Sequence, residues 1–79
     1  MTTATEPQPI TDSQRRVYDA IVGYIEEFGY SPSVRDLCRL CGISSPNGVN
    51  IHLAALESRG WITRNQRQAR TIRPIGGVR

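Results

Sequence analysis

The fold is decided by the stretch Gly42-Ile43-Ser44-Ser45-Pro46-Asn47-Gly48-Val49 in the middle of the chain. Glycine adopts the left-handed conformation without strain, so one helix is predicted to end at Gly42. Serine caps the amides of a helix start and proline fits the first helical position, so the next helix is predicted to begin at Ser45 and Pro46. Two helices joined by so short a turn indicate a helix-turn-helix.

Two further helix starts precede this turn. Thr11 followed by Gln14 has the spacing of a capping box, and Ser33 repeats the cap signal with Asp36 in the first turn. The first helix is therefore predicted at about 12–28, with Gly29 as its stop, and a short second helix follows Ser33. The apolar stripe of the first helix consists of Val17, Ile21, Ile25 and Phe28.

A third helix and a hairpin follow the turn. The buried face of the third helix is marked by Val49, Leu53 and Leu56. Gly60 is predicted to end this helix. Residues 61–63 and 71–73 are β-prone and flank a polar, basic segment, which predicts a two-stranded hairpin. Trp61 is expected to fix the hairpin onto the helices.

The predicted fold class is mainly α with a small β-hairpin, a three-helix winged helix-turn-helix at residues 10–75. Residues 1–9 are predicted to be a disordered tail, and residues 76–79 a linker or frayed end. The chain starts without an export signal, and no apolar run approaches the ~18 residues of a membrane span. A cytoplasmic location is therefore expected.

The chain has ten arginines and no lysine. Serine–lysine hydrolases, Schiff-base enzymes and P-loop NTPases all need a lysine, so these classes are excluded for these residues. The net charge of +3 is unevenly distributed, because residues 37–79 hold seven arginines and a single acid, Glu57. Such a basic half predicts an anionic partner, either nucleic acid or an acidic surface.

The outward face of the third helix is small and uncharged, which fits close approach to a partner. Asparagine can pair with adenine in the major groove, and an aliphatic side chain can contact a thymine methyl, so Asn47 and Ile51 are candidate base contacts. The alternative is that Ile51 is an ordinary surface aliphatic. Gly48 either leaves room for a phosphate or base edge, or has no function.

Arginines recur every third residue along the hairpin, and no acid is expected near them. They are Arg64, Arg67, Arg70 and Arg73. Arginine suits phosphate oxygens, so a DNA-backbone role is predicted, with a flexible, solvated turn as the alternative.

The pair Cys38 and Cys41 has the spacing of a metal or redox motif. A zinc site needs four ligands and the only other soft candidate is His52, while a redox role needs a different scaffold. We therefore predict no metal, no cofactor and no catalytic site. The cysteines are expected to be free thiols packed as small apolar residues, and His52 to lie at the core edge with a hydrogen bond.

These residues resemble the N-terminal DNA-binding domain of LexA-type SOS repressors, from Ile10 to Ile75. The most specific part is Gly42-x-x-Ser45-Pro46-Asn47 with His52-Leu53-x-x-Leu56-x-x-x-Gly60-x-Ile62. Arg70-Thr71-Ile72-Arg73 is similar to the Arg-Gly-Ile-Arg wing strand of that family. The family commonly has alanines at positions 48 and 49 and acids at positions 50 and 51, so the resemblance does not imply an operator sequence.

The resemblance implies that the third helix enters the major groove and that the wing follows the backbone. The expected base contacts are Ser45, Asn47, Gly48, Asn50, Ile51 and Ala54. The expected backbone contacts are Ser33, Arg35, Ser44, Arg64, Arg67 and Arg70.

The expected function is sequence-specific binding of double-stranded DNA as a repressor of DNA-damage genes. The operator is expected to be palindromic, with a dimer formed on DNA or through further sequence. The protein is expected to be of bacterial or phage origin and to associate with the nucleoid in the cytoplasm. The family's full repressors cleave themselves with a serine–lysine pair, which these residues cannot supply, so no enzyme is expected. The alternatives are a protein-docking winged helix and a free-standing phage or accessory regulator.

Overall fold

The computed structural model describes residues 9–65 and 71–75. They form α1 (Asp12–Phe28), α2 (Val34–Cys41), α3 (Pro46–Ser58), β1 (Ile62–Thr63) and β2 (Arg73–Pro74) in chain order. The two strands pair into one antiparallel sheet. This architecture confirms the predicted winged helix-turn-helix. The predicted tail and C-terminal linker lie outside the described residues, apart from Pro9.

Local side-chain caps begin all three helices. The Thr11 hydroxyl accepts the Gln14 amide at 3.1 Å, and the Gln14 side chain accepts the Thr11 amide at 3.0 Å. Ser33 and Asp36 form the same reciprocal box at the start of α2, with distances of 3.2 and 3.0 Å. Ser45 caps α3 ahead of its proline. The three predicted helix starts are therefore confirmed.

The turn between α2 and α3 is set by Gly42, which has a φ of 69°. This left-handed conformation lets the Ile43 amide donate to the Cys38 carbonyl at 3.0 Å, which satisfies a carbonyl at the end of α2. The chain then needs only Ser44 before the Ser45 cap of α3. The predicted helix-turn-helix is thus built almost entirely from local conformational preferences.

One core joins the three helices and the hairpin. Its buried members are Val17, Tyr18, Ile21, Leu37, Val49, Leu53, Leu56, Ile62 and Ile72. The two cysteines are half-buried against this core as free thiols. The predicted stripe of α1 is wrong at its end, because Phe28 is 49% exposed and lies beside Tyr24 and Tyr30 instead.

The hairpin pairs Ile62 with Pro74 and Thr63 with Arg73. The second strand therefore starts two residues later than predicted. The physical reason is that the Ile72 amide does not bond across the hairpin but donates to the Ser31 hydroxyl at 3.1 Å.

Trp61 fixes the hairpin to α1, as predicted. Its ring meets Tyr18 edge-on, with 5.0 Å between centroids and an interplanar angle of 78°. The Arg15 guanidinium lies 5.8 Å from the centroid of the indole, within the range of a cation–π contact. Among the described residues, no helix combines the length and apolar character needed to cross a bilayer.

Candidate nucleic-acid interface

The third helix presents two chemically different faces. Its inner face holds Val49, Leu53 and Leu56, each fully buried in the core. Its outer side exposes Asn47, Asn50, Ile51 and Ala54, four of the six predicted base contacts. Because the inner face is anchored, the outer face is held as a rigid surface of the size that a B-DNA major groove admits.

The predicted contacts around the start of α3 are also accessible. Ser44 and Ser45 are exposed in the turn, and Arg35 is exposed in the first turn of α2. Ser33 is half-buried, and its oxygen accepts the Asp36 amide in the cap of α2. Its hydroxyl can still donate, as a contact to a phosphate oxygen would require.

Gly48 has a packing role that was not predicted from the sequence. A Cβ built at this position would lie 3.0 Å from Cγ2 of Ile43, in the turn between α2 and α3. Position 48 therefore points toward the turn, and the missing side chain lets α3 approach it closely. Its predicted contact with a base stays a prediction.

Arg64 lies against α3. Its Nε donates to Oε1 of Glu57 at 3.2 Å, and its Nη1 donates to Oδ1 of Asn50 at 3.4 Å. Only 11% of the Arg64 side chain is exposed. The expectation that no acid lies near the hairpin arginines is wrong, because the chain reverses at Gly60 and brings β1 back along the end of α3.

The other predicted wing contacts, Arg67 and Arg70, lie outside the described residues. The described residues on either side of positions 66–70 are joined by Thr71, whose hydroxyl accepts the Asn65 amide at 2.9 Å and donates to the Asn65 carbonyl at 3.0 Å. Thr71 thus joins the two sides of the wing by hydrogen bonds, at the position where the family that the sequence resembles has glycine. Arg73 is exposed on β2.

Ser31 was not singled out in the sequence, yet it ties the wing to the helices. Only 6% of the residue is exposed. Its hydroxyl donates to the Pro32 carbonyl at 2.9 Å and accepts the Ile72 amide across 41 positions of chain. No local signal marks this role, whereas Glu57 could have been suspected as an arginine partner because it is the only acid after Asp36.

The remaining chemical candidates are packed into the fold. His52 is half-buried, as predicted, and its Nδ1 has no hydrogen-bond partner among the described residues. The predicted hydrogen bond of His52 is therefore not made by this atom. Burial raises the pKa of the Cys41 thiol, with Arg16 opposing and Cys38 adding to the shift. Cys41 is therefore a neutral thiol at neutral pH. In the described ranges, no three metal-ligating side chains come together.

Comparison with known proteins gives a consistent result. A family model described as the LexA DNA binding domain matches residues 7–71. The LexA repressor of Thermosipho melanesiensis is 44% identical over 63 residues, which are 80% of this chain and 31% of that protein.

Two further LexA repressors are similar. That of Pseudothermotoga lettingae is 44% identical over 66 residues, covering 84% of this chain and 32% of that protein. That of Sorangium cellulosum is 43% identical over 67 residues, covering 85% of this chain and 29% of that protein. The chain thus spans roughly a third of the length of the curated relatives that it matches.

Proposed function

The chain belongs to the LexA DNA-binding domain family, and we propose that it represses transcription by binding a specific double-stranded operator. The observation that carries this proposal is the exposed, uncharged side of α3, opposite three fully buried anchors. A face without charged side chains can enter the groove without desolvating an ion, and its amides can pair with base edges.

In this proposal α3 lies in the major groove, with Asn47 and Ile51 one turn apart on the surface that meets the bases. Ser33, Arg35 and Ser44 contact phosphates around the helix-turn-helix, and Ser45 lies with the base contacts. The wing follows the backbone with Arg67 and Arg70. Phosphate contacts of this kind fix register and orientation, while the base edges carry the sequence information.

The domain presents one recognition helix, so a palindromic operator requires two copies. We propose that the copies occupy half-sites one helical turn apart, about 34–36 Å on B-DNA. The copies are held together by the DNA or by further sequence. The regulated genes are those of an SOS-type response, and the repressor acts at the nucleoid. The proposal gives these residues a binding role and no chemical step.

A gel-shift comparison of a palindromic site with scrambled DNA tests the specific part of this proposal. Asn47→Ala is expected to lose about 1–3 kcal/mol, concentrated at one base position. Arg67→Ala is expected to weaken all sequences alike and to flatten the log–log salt slope by about one unit. Equal affinity of the wild-type chain for both DNAs would contradict sequence-specific repression.

The exposure of Ile51 supports one alternative, a protein-docking surface on α3. This side chain is 61% exposed, the largest value among the exposed large hydrophobic residues that the structure describes. A partner protein bound through Ile51 would form a complex insensitive to salt and abolished by Ile51→Asp. Steeply salt-dependent DNA binding together with no such complex would exclude the alternative.

A further inference from the structure

Two side chains on one flank of α3 are joined by a residue of the hairpin. Asn50 and Glu57 are seven positions apart, or about 10 Å along the helix. The Arg64 guanidinium bonds to both, at 3.4 Å and 3.2 Å. Since Arg64 is only 11% exposed, its guanidinium is held against the helix instead of extending into solvent.

The chemistry of arginine fixes which end of the Asn50 amide faces it. A guanidinium has five N–H donors and no acceptor, so only the amide oxygen can turn toward it. The Asn50 Nδ2 group, with its two hydrogens, is then directed away from Arg64. Asn50 is exposed on the outer side of α3, so this donor group belongs to the surface proposed to meet DNA.

Resting on the proposed function, we propose that Arg64 is a positioning residue for specificity, which holds Asn50 as a hydrogen-bond donor toward a guanine. Guanine offers two acceptors in the major groove, N7 and O6, whereas cytosine offers only a donor there. Bidentate pairing with adenine needs the oxygen and the nitrogen of an asparagine amide to face the base together, and the Asn50 oxygen is turned toward Arg64. With its donor group alone facing the groove, Asn50 is expected to favour guanine, which presents two acceptors, over adenine, which presents one.

This role differs from the phosphate contact expected of Arg64 from the sequence. Moving its guanidinium to a phosphate would break the ion pair and leave the Glu57 carboxylate uncompensated beside polyanionic DNA. By remaining in place, Arg64 neutralises the only acid of residues 37–79 while it orients Asn50. The arginine contributes to base selection through its neighbour.

The test uses the whole chain and a pool of DNA duplexes with a randomised central segment. Sequencing of the bound fraction gives base preferences for the wild type, and Asn50→Ala identifies the position that Asn50 contacts. At this position the wild type is expected to prefer guanine by about tenfold, within the range of a good base contact. Arg64→Met, which keeps the aliphatic stem, is expected to reduce this preference to about twofold and leave the others unchanged.

Glu57→Ala removes the carboxylate that holds the Arg64 guanidinium beside Asn50. It is therefore also expected to reduce the preference for guanine at the Asn50 position. Arg73→Met is the matched control, because it removes an exposed hairpin arginine that makes no hydrogen bond or ion pair with Asn50 or Glu57 in the described structure. It should leave all base preferences as they are. Melting temperatures of the variants separate a loss of orientation from a loss of folding.

The proposal is overturned if Arg64→Met weakens all sequences equally and flattens the salt slope, because Arg64 would then be a phosphate contact. A wild-type preference for adenine at the Asn50 position would overturn it as well. If the wild-type chain shows no base preference at any position and binds scrambled DNA equally well, the proposed function itself is contradicted.

Discussion

Replacing Ser31 by alanine should detach the wing from the helices. The Ser31 hydroxyl is the acceptor for the Ile72 amide at 3.1 Å, and both residues are almost fully buried, at 6% and 5% exposure. Alanine keeps the Cβ atom but removes the hydroxyl, so it offers no acceptor. The Ile72 amide cannot turn to the opposite strand, because that strand pairs only with Arg73 and Pro74.

The magnitude follows from the cost of leaving a buried donor without a partner. This cost is about 1–3 kcal/mol, and we expect the middle of that range, about 2 kcal/mol. In a domain of this size, 1 kcal/mol shifts the melting temperature by about 4–8 °C, so Ser31→Ala should melt about 8–16 °C below the wild type.

Thermal and urea denaturation measure the total loss, and hydrogen exchange locates it. The amide of Ile72 should lose protection before those of α1, since the wing can open without unfolding the helices. Ser58→Ala, at the exposed end of α3, is the control and should change stability by less than about 0.5 kcal/mol. If Ser31→Ala leaves the melting temperature unchanged and the Ile72 amide still protected from hydrogen exchange, the Ser31 hydroxyl does not hold the wing to the helices.

Three further outcomes are expected. Burial raises the pKa of the Cys41 thiol above 9.0 and that of the Tyr18 phenol above 10.0, so stability should be complete below about pH 9 and fall as the pH rises through the raised values. Melting curves check this fall, and Tyr18→Phe should remove its upper part. Thr71→Val should cost about 0.5–1 kcal/mol in urea denaturation by deleting both bonds to Asn65 at the wing base. Gly29→Ala should cost about 1–2 kcal/mol, because the φ of 81° strains any Cβ although open space surrounds it. Gly29→Asn should cost less, and equal melting temperatures for the two variants would contradict the strain argument.

The helix boundaries were predictable because their determinants are local. Thr11 and Gln14 lie three residues apart, and the same spacing joins Ser33 to Asp36, so each capping box is complete within one turn of chain. The glycine at position 42 likewise acts through its own backbone. Signals of this range are present in the sequence itself and need no knowledge of tertiary packing.

The wing was predictable only in outline, because distant side chains place it. The bond from Ile72 to Ser31 joins positions 41 apart, and it moved the second strand by two residues from its predicted start. The Arg64–Glu57 ion pair similarly depends on how the chain reverses after α3. Phe28 shows the same limit, since helical periodicity places it on the apolar stripe but cannot tell where the opposing helices end.

The charge of the basic half overstates its capacity to contact phosphates. Of the seven arginines in residues 37–79, Arg64 is paired with Glu57 at 3.2 Å and Arg39 with Asp36 at 2.9 Å. In each pair a carboxylate already neutralises an arginine that adds to the positive charge of residues 37–79. The number of arginines therefore overestimates how many counterions are released when the domain binds DNA. Since each phosphate contact contributes about 0.9 to the salt slope, the wing slope should reflect Arg67 and Arg70 and reach about −1.8, without a contribution from Arg64. The sequence groups Arg64 with the phosphate contacts. Its removal should nevertheless change which base is bound and leave the salt dependence of DNA binding unchanged.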